Sequence, residues 1–306
     1  MLKVIKMKIG MIGIGDIAKK AYLPILTQKK GVELHVYTRN EKTLADIAAT
    51  YRINHTYQQI DALLASGIKA AFIHSTTESH EAIIDQLLDN GIHVYVDKPI
   101  TYFAESSNRL IEKAKIKGLI LKVGFNRRYA PSYKKLKELP SPNMIIMQKN
   151  RGHHPADTRT FIFDDFIHVI DTLLELLPYT VEDVIIRGKQ HGGMLHHVSL
   201  QLESREGTAI GIMNRDAGTT EEMVEVMSSD ETRKVINVSN ITSHKDKKVL
   251  DYGSDDWQPT LEKRGFHHII AHFLELVRNE GQPYNGYESD IESHILAEKI
   301  VQHFKK

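Results

Sequence analysis

Short apolar runs alternate with helix-spaced segments through roughly the first 124 residues. An apolar run opening at Lys8 ends in Gly13-Ile14-Gly15-Asp16-Ile17-Ala18, and a helix-spaced segment, 17–28, follows. Residues 32–38 form a β-rich apolar run, and 41–51 carry helical spacing through Leu44, Ile47 and Ala48. Residues 69–75 form a buried strand around Ala70-Ala71-Phe72-Ile73. The helix 78–90 puts Ile83, Ile84, Leu87 and Leu88 on one side and stops at Gly91. A strand at 92–96, a helix at 103–117 ending at Gly118, and a strand at 119–124 complete the series. Strands separated by helices of this length need crossovers, so the sheet should be parallel and doubly wound.

The rhythm changes near Phe125. Residues 127–139 read as a helix broken by Pro140-Ser141-Pro142, 143–150 as a strand, 151–160 as a polar loop and 164–177 as an amphipathic helix stopped by Pro178. Alternating runs follow at 181–190, 196–203, 208–214, 222–228, 233–238 and 247–252, and helices at 262–279 and 288–303 close the chain. Hairpin-length links such as Ser204-Arg205-Glu206-Gly207 favour antiparallel neighbours. The expectation is an α/β protein with two domains: 1–124, a doubly wound parallel sheet, and 125–306, an α+β domain on a largely antiparallel open sheet.

At 306 residues the chain has length for two cores. A net charge of +1 gives no reason to expect a nucleic-acid or acidic-membrane partner. With no cysteine there is no disulfide, thiolate nucleophile or cysteine-bound zinc. The first residues lack the apolar stretch of a signal peptide, and no run has the length of a membrane span, so a cytoplasmic protein is expected.

Candidate chemistry collects after the strands of the first half, where doubly wound sheets bind ligands. Gly13 permits a tight turn, Gly15 lets backbone approach a pyrophosphate, and Ala18 lets the helix pack close; the amides of Asp16 and Ile17 open that helix. An ordinary strand–helix turn would look the same. After the second strand stand Thr38 and Arg39, with no acid at 37–40. A hydroxyl and a guanidinium suit a 2′-phosphate, which favours NADP slightly over NAD, although a solvated arginine fits nearly as well. Ser75 and Thr76 can lie along a cofactor or serve as turn and cap residues. His80, near a helix start, is of a type more often structural than catalytic. Lys98 stands at a strand's carboxyl end between Asp97 and Pro99, where an ammonium could exchange a proton with a substrate hydroxyl. In the second half Asp164, His168 and Asp171 fall on one helix face beside the stripe Ile167, Ile170 and Leu174. They suit proton transfer, although on their own they fit better a capping Asp164 and a satisfied, partly buried histidine.

Gly13-Ile14-Gly15-Asp16-Ile17-Ala18, Asp97-Lys98-Pro99, Gly124-Phe125-Asn126-Arg127-Arg128-Tyr129 and Asp164-x-x-x-His168-x-x-Asp171, in that order, resemble the glucose-fructose oxidoreductase / inositol dehydrogenase / rhizopine-catabolism (Gfo/Idh/MocA) family over essentially the whole chain. The resemblance implies an N-terminal Rossmann domain, a nicotinamide cofactor, and hydride transfer at a carbinol or carbonyl carbon of a sugar, polyol or related hydroxy compound. It puts Lys98, Asp164 and His168 in catalytic places, and Asn126, Asp97 and His80 beside the cofactor. Asp97 stands for the family's glutamate, and Thr77 for a frequent proline. Arg128, Arg151, His153 and His154 are candidates to reach the substrate, whose identity the loop at 151–161 does not disclose. The family commonly dimerises on the open C-terminal sheet, and Met213, Met223, Met227 and Val226 are candidates for that face; a homodimer or homotetramer is expected. No metal is required. The 17 histidines include adjacent pairs, but neighbours on a strand or helix point apart and no H-E-x-x-H occurs, which disfavours a metal-dependent hydrolase. A non-catalytic dinucleotide-binding sensor of the same fold is the alternative; the retained acid–base residues weigh against it.

Overall fold

The computed structural model of the chain describes residues 6–253, 257–279 and 284–305. They form two compact units. One holds the residues up to Gly124 together with Ile270–Ile291, and the other holds Phe125–Ile269 and the residues from Glu292 onward.

The first unit contains β1 (Met7–Ile12), β2 (Val32–Tyr37), β3 (His55–Tyr57), β4 (Ala70–Ile73), β5 (His93–Val96) and β6 (Leu121–Val123). They pair in parallel in the order β3-β2-β1-β4-β5-β6. Covered on both faces, such strands read as unbroken apolar runs, and all of β4 is fully buried. The order is that of a Rossmann sheet, whose reversal between β1 and β4 opens a crevice beyond their carboxyl ends. The strand β3 and the helix Ile60–Ala65 after it carry no clear sequence signal. Three partly polar residues become a strand only because β2 offers them an edge.

The segment Ile270–Ile291, expected with the last domain, packs in the first unit for two reasons. Phe273 sets its ring edge-on to Phe72 at 5.1 Å and lies 5.5 Å from Tyr95. The edge beyond β6 is also closed by this segment: the Val123 amide donates to Asp290 Oδ2 at 3.3 Å, and the Tyr287 hydroxyl donates to the Leu119 carbonyl.

The second unit carries β7 (Met144–Gly152), β8 (Asp183–His191), β9 (Met194–Glu203), β10 (Thr208–Ala217), β11 (Glu221–Met227), β12 (Thr232–Ile236), β13 (Asn240–Lys245) and β14 (Lys248–Asp251). Their order is β14-β13-β12-β11-β7-β10-β9-β8. Only β7 and β10 pair in parallel among these described strands. The polar strand β13 falls between two runs read from the sequence. Side chains alternate along β10. Ala209, Gly211 and Met213 are buried, while Ile210 and Ile212 are half-buried on the other face. Met213 and Val226, expected on the open face, instead lie in the core at 0% and 1% exposure; Met223 and Met227 do take the half-buried face.

Helical backbone from 161 to 176 covers the buried face. A side chain on Gly211 would place its Cβ 2.6 Å from Val169 Cγ1 and 2.8 Å from Leu173 Cδ1, so the bare strand is what seats the helix. A second glycine breaks the helix expected at 262–279. Gly265 takes φ +82°, and a Cβ there would meet the Asn126 carbonyl oxygen at 2.3 Å. Thr260–Lys263 and Phe266–Arg278 are therefore separate helices.

Gly211→Ala should cost about 1–3 kcal/mol by overpacking. The double variant with Val169→Ala should recover part of that loss in chemical denaturation, and a single variant as stable as the parent would contradict this seating.

Candidate active site

At the exit of β1 the two turn glycines serve different ends. Gly13 has φ +87°, and a Cβ there would fall 2.4 Å from the Ser75 amide nitrogen, so only glycine fits. At Gly15 the nearest neighbour of such an atom is the His74 carbonyl oxygen at 3.7 Å. The protein's own packing does not require glycine there; the missing side chain leaves open space. Helical backbone starts at residue 16, and the amides of residues 16–18 lie ahead of the first helical hydrogen bond, from the Lys19 amide to the Gly15 carbonyl at 3.2 Å. That cradle fits a pyrophosphate. The Asp16 carboxylate pairs with Lys20 at 2.8 Å in solvent, so Asp16 and Ile17 offer the turn their backbone.

At the exit of β2, the Asn40 amide donates to Thr38 Oγ1 at 3.4 Å, and Asn40 Oδ1 caps the helix Glu41–Tyr51 through the Thr43 amide at 2.9 Å. Arg39 beside them is exposed. At the exit of β4, Ser75 is half-buried and accepts from Ser79 Oγ at 2.8 Å, while Thr76 is exposed before the helix Thr77–Asp89. His80 is 1% exposed, and its ring nitrogens lie 3.0 Å from the Pro99 carbonyl and 3.1 Å from the Ser75 carbonyl. It braces the loop after β5 against the loop after β4. In that loop Asp97 and Lys98 are both half-buried and the Lys98–Pro99 peptide is cis. Burial pushes the Asp97 carboxyl up, with the Lys98 and His80 charges opposing.

No sequence pattern marks His74, between these loops. Its ring lies tilted with its centre 3.9 Å from that of Tyr22, beside the 2.9 Å hydroxyl contact of Tyr22 with Tyr95, and both ring nitrogens are buried without a hydrogen-bond partner. Burial, aided by His80, pushes the imidazole down to about 3.

In the second unit, the helical backbone from 161 to 173 is buried at every residue except two, Asp164 and His168. One turn apart, they form a single polar window in an otherwise enclosed helix. Asp171, expected to share that window, is 1% exposed. It accepts from Arg128 Nε at 3.0 Å, from Arg128 Nη2, and from Ser293 Oγ at 3.0 Å. Arg128, expected at the substrate, is therefore committed to this buried pair, with its guanidinium 4.8 Å from the Phe125 ring centre. Asn126, expected at the cofactor, is 6% exposed and donates its side-chain amide to the Arg264 carbonyl at 2.8 Å.

Asp165, adjacent to the window, is bound by Lys149 and by Arg151 Nε at 3.0 Å. Burial would raise its pKa, but these cations outweigh that and hold it far below the usual carboxylate range. Burial, with Arg127 nearby, brings the Lys149 ammonium down to about 7. Arg127 itself is closed by Glu222 at 2.7 and 2.6 Å. His153 and His154 are exposed, and His153 Nδ1 stands 3.7 Å from Asp216.

His74 gives a pH prediction. An unfolded chain takes up its proton near pH 6.5, while the folded chain waits until about 3. Between those limits the unfolded state binds more protons, so stability falls with acidification by roughly 1.4 kcal/mol per pH unit. His74→Phe should flatten this limb in denaturation curves taken from pH 7 to 4. An unchanged slope would show that the imidazole is not held neutral.

Residues 7–125 match the model of an oxidoreductase family with an NAD-binding Rossmann fold, and residues 131–246 match a YceM-like C-terminal domain. The chain is 34% identical to the Salmonella typhimurium protein YceM over 97% of its own length and 96% of that protein's. A crystal structure of a Gfo/Idh/MocA family oxidoreductase from Vibrio cholerae superposes with a TM-score of 0.92 at 32% identity, covering 98% of both chains. The NAD-dependent scyllo-inositol 2-dehydrogenase of Bacillus subtilis is 27% identical, over 71% of this chain and 70% of that one. The chain belongs to the Gfo/Idh/MocA family of NAD-binding oxidoreductases.

Proposed function

We propose that the protein is a dehydrogenase or carbonyl reductase for a sugar, polyol or related hydroxy compound, with NADP slightly preferred over NAD. The observation that carries the reading is the pair Asp164 and His168, the only residues of 161–173 that are not buried. A helix that excludes water everywhere else holds an acid and an imidazole one turn apart at the surface, which suits the handling of a hydroxyl proton.

Oxidising a carbinol removes hydride from carbon and a proton from oxygen. Bound nicotinamide supplies the hydride acceptor, or the donor in reverse. The Gly13–Ala18 turn would hold the pyrophosphate, with Ser75 and Thr76 along the cofactor and His80 fixing the two loops beside it. Lys98 hydrogen-bonds the substrate oxygen and stabilises negative charge developing on it. His168 takes the hydroxyl proton, and Asp164 holds a neighbouring hydroxyl. Inositol dehydrogenases and a UDP-N-acetylglucosamine 3-dehydrogenase among the relatives support the substrate class. Arg39, exposed where a ribose-binding acid would stand, supports NADP. Met223 and Met227, half-buried on the second face of the sheet in the second unit, support a homodimer or homotetramer through it.

Lys98→Ala and His168→Ala should each lower turnover about a hundredfold or more while leaving cofactor affinity near the parent's. Normal turnover in either variant would remove that residue from the chemistry. Gly15→Ala should keep its thermal stability, because the added atom meets nothing closer than 3.7 Å, yet weaken cofactor binding in fluorescence titration. Unchanged affinity would place the diphosphate elsewhere. Arg39→Ala should weaken NADPH roughly tenfold with little effect on NADH; equal loss for both would end the case for NADP.

A further inference from the structure

We propose that a cationic cluster where β7 runs beside β10 receives an anionic group, a carboxylate or a phosphate, carried by the substrate. Strand register builds the cluster. The parallel pairing runs from Thr208 opposite Met144 to Asn214 opposite Asn150, then shifts so that Ala217 meets Gly152. One extra residue of β10 bulges after Asn214. Arg215 keeps the inward phase of Ala209, Gly211 and Met213 and so joins Lys149 and Arg151 around Asp165.

Three cations then share one buried carboxylate. Lys149 Nζ and Arg151 Nε bind it directly, while Arg215 Nε stays 4.0 Å from Asp165 Oδ2. The next pair, Arg127 with Glu222, is closed on itself. Asp164 and Asp157 lie within electrostatic range of Arg215, and Asp157 already caps the Thr160 amide at 3.1 Å. Arg215 is only 9% exposed, and its Nε and Nη1 are buried without a hydrogen-bond partner. Unmatched donors of a buried charge are costly, and an incoming oxyanion would satisfy them. Phe161 lies under the guanidinium at 5.2 Å, and Arg151, with 38% of its side chain exposed, opens the cluster to solvent. A neutral polyol has no charge to set against the unmatched Arg215 donors; a sugar acid or sugar phosphate does. The inference rests on the dehydrogenase reading only in calling the ligand a substrate.

Calorimetric titration of the full chain at fixed ionic strength tests it, with D-glucose, D-glucuronate, D-glucose 6-phosphate and inorganic phosphate as probes. Glucuronate or glucose 6-phosphate should bind at least tenfold more tightly than glucose, and whichever binds tells a carboxylate from a phosphate. Arg151→Gln, at a part-exposed position, and Arg215→Lys should each weaken that probe at least tenfold, with circular dichroism showing both variants folded. Glucose binding as well as the charged sugars, no charged sugar binding, or affinity unchanged in Arg151→Gln would overturn the proposal. Inorganic phosphate matching glucose 6-phosphate would mark an adventitious ion only and overturn it too. NADPH titration runs beside these. Cofactor binding without anion preference sinks this inference alone. Anion binding without cofactor binding sinks the dehydrogenase reading and leaves the anion site standing.

Discussion

The contact of Val169 and Leu173 with the bare backbone of Gly211 governs the second unit. Close seating buries the helical stretch 161–173 almost completely, and that sets a problem, because the stretch carries carboxylates. Asp171 and Asp165 are taken out of water and must be matched. Arg128 matches the first; Lys149 and Arg151 match the second. Breaking such a buried pair by removing one partner costs about 3–5 kcal/mol, so these cations are structural before they are anything else. With the buried acids neutralised, Asp164 and His168 are the residues of that stretch left facing outward.

A comparable economy shapes the first unit. Gly13 lets the backbone of its turn pass against Ser75, closer than any side chain would allow. His80 then ties the Ser75 carbonyl to the Pro99 carbonyl. The loops after β1, β4 and β5 are thus held to one another by backbone contacts and a single imidazole. Lys98 stands on the last of them. Beneath, the aromatic packing of Tyr22, Phe72, Tyr95 and Phe273 tolerates an uncharged, unpartnered His74.

What could be read along the chain was local. The glycine turn, the Asp97-Lys98-Pro99 strand end and the Asp164/His168 spacing are each contained within a few residues, and buried parallel strands announce themselves as apolar runs. Pairings distant in sequence were not legible. Nothing near Arg128 announces Asp171, so that arginine looked available for substrate. Nor does anything near Asn126 announce the Arg264 carbonyl, which Gly265 lets come within reach of its amide. Lys149 and Arg215 sit in strands whose alternation says only that they face inward; that β7 and β10 are neighbours is a property of sheet order. The placement of Ile270–Ile291 followed from a sheet edge in need of cover, which no window of sequence contains.

Membership of the family and the open window on the buried helix point to the same act, removal of hydrogen from a carbinol carbon with the electron pair going to nicotinamide. Isotope transfer tests this most directly. The protein, oxidised cofactor and a panel of sugars, polyols and their acids deuterated at each carbinol carbon would be incubated together, and the recovered cofactor examined by proton NMR. The account predicts deuterium at nicotinamide C4, on one face only, from a single substrate carbon. Cofactor recovered without deuterium from every compound, although it binds the protein, would contradict hydride transfer and leave a dinucleotide-binding sensor.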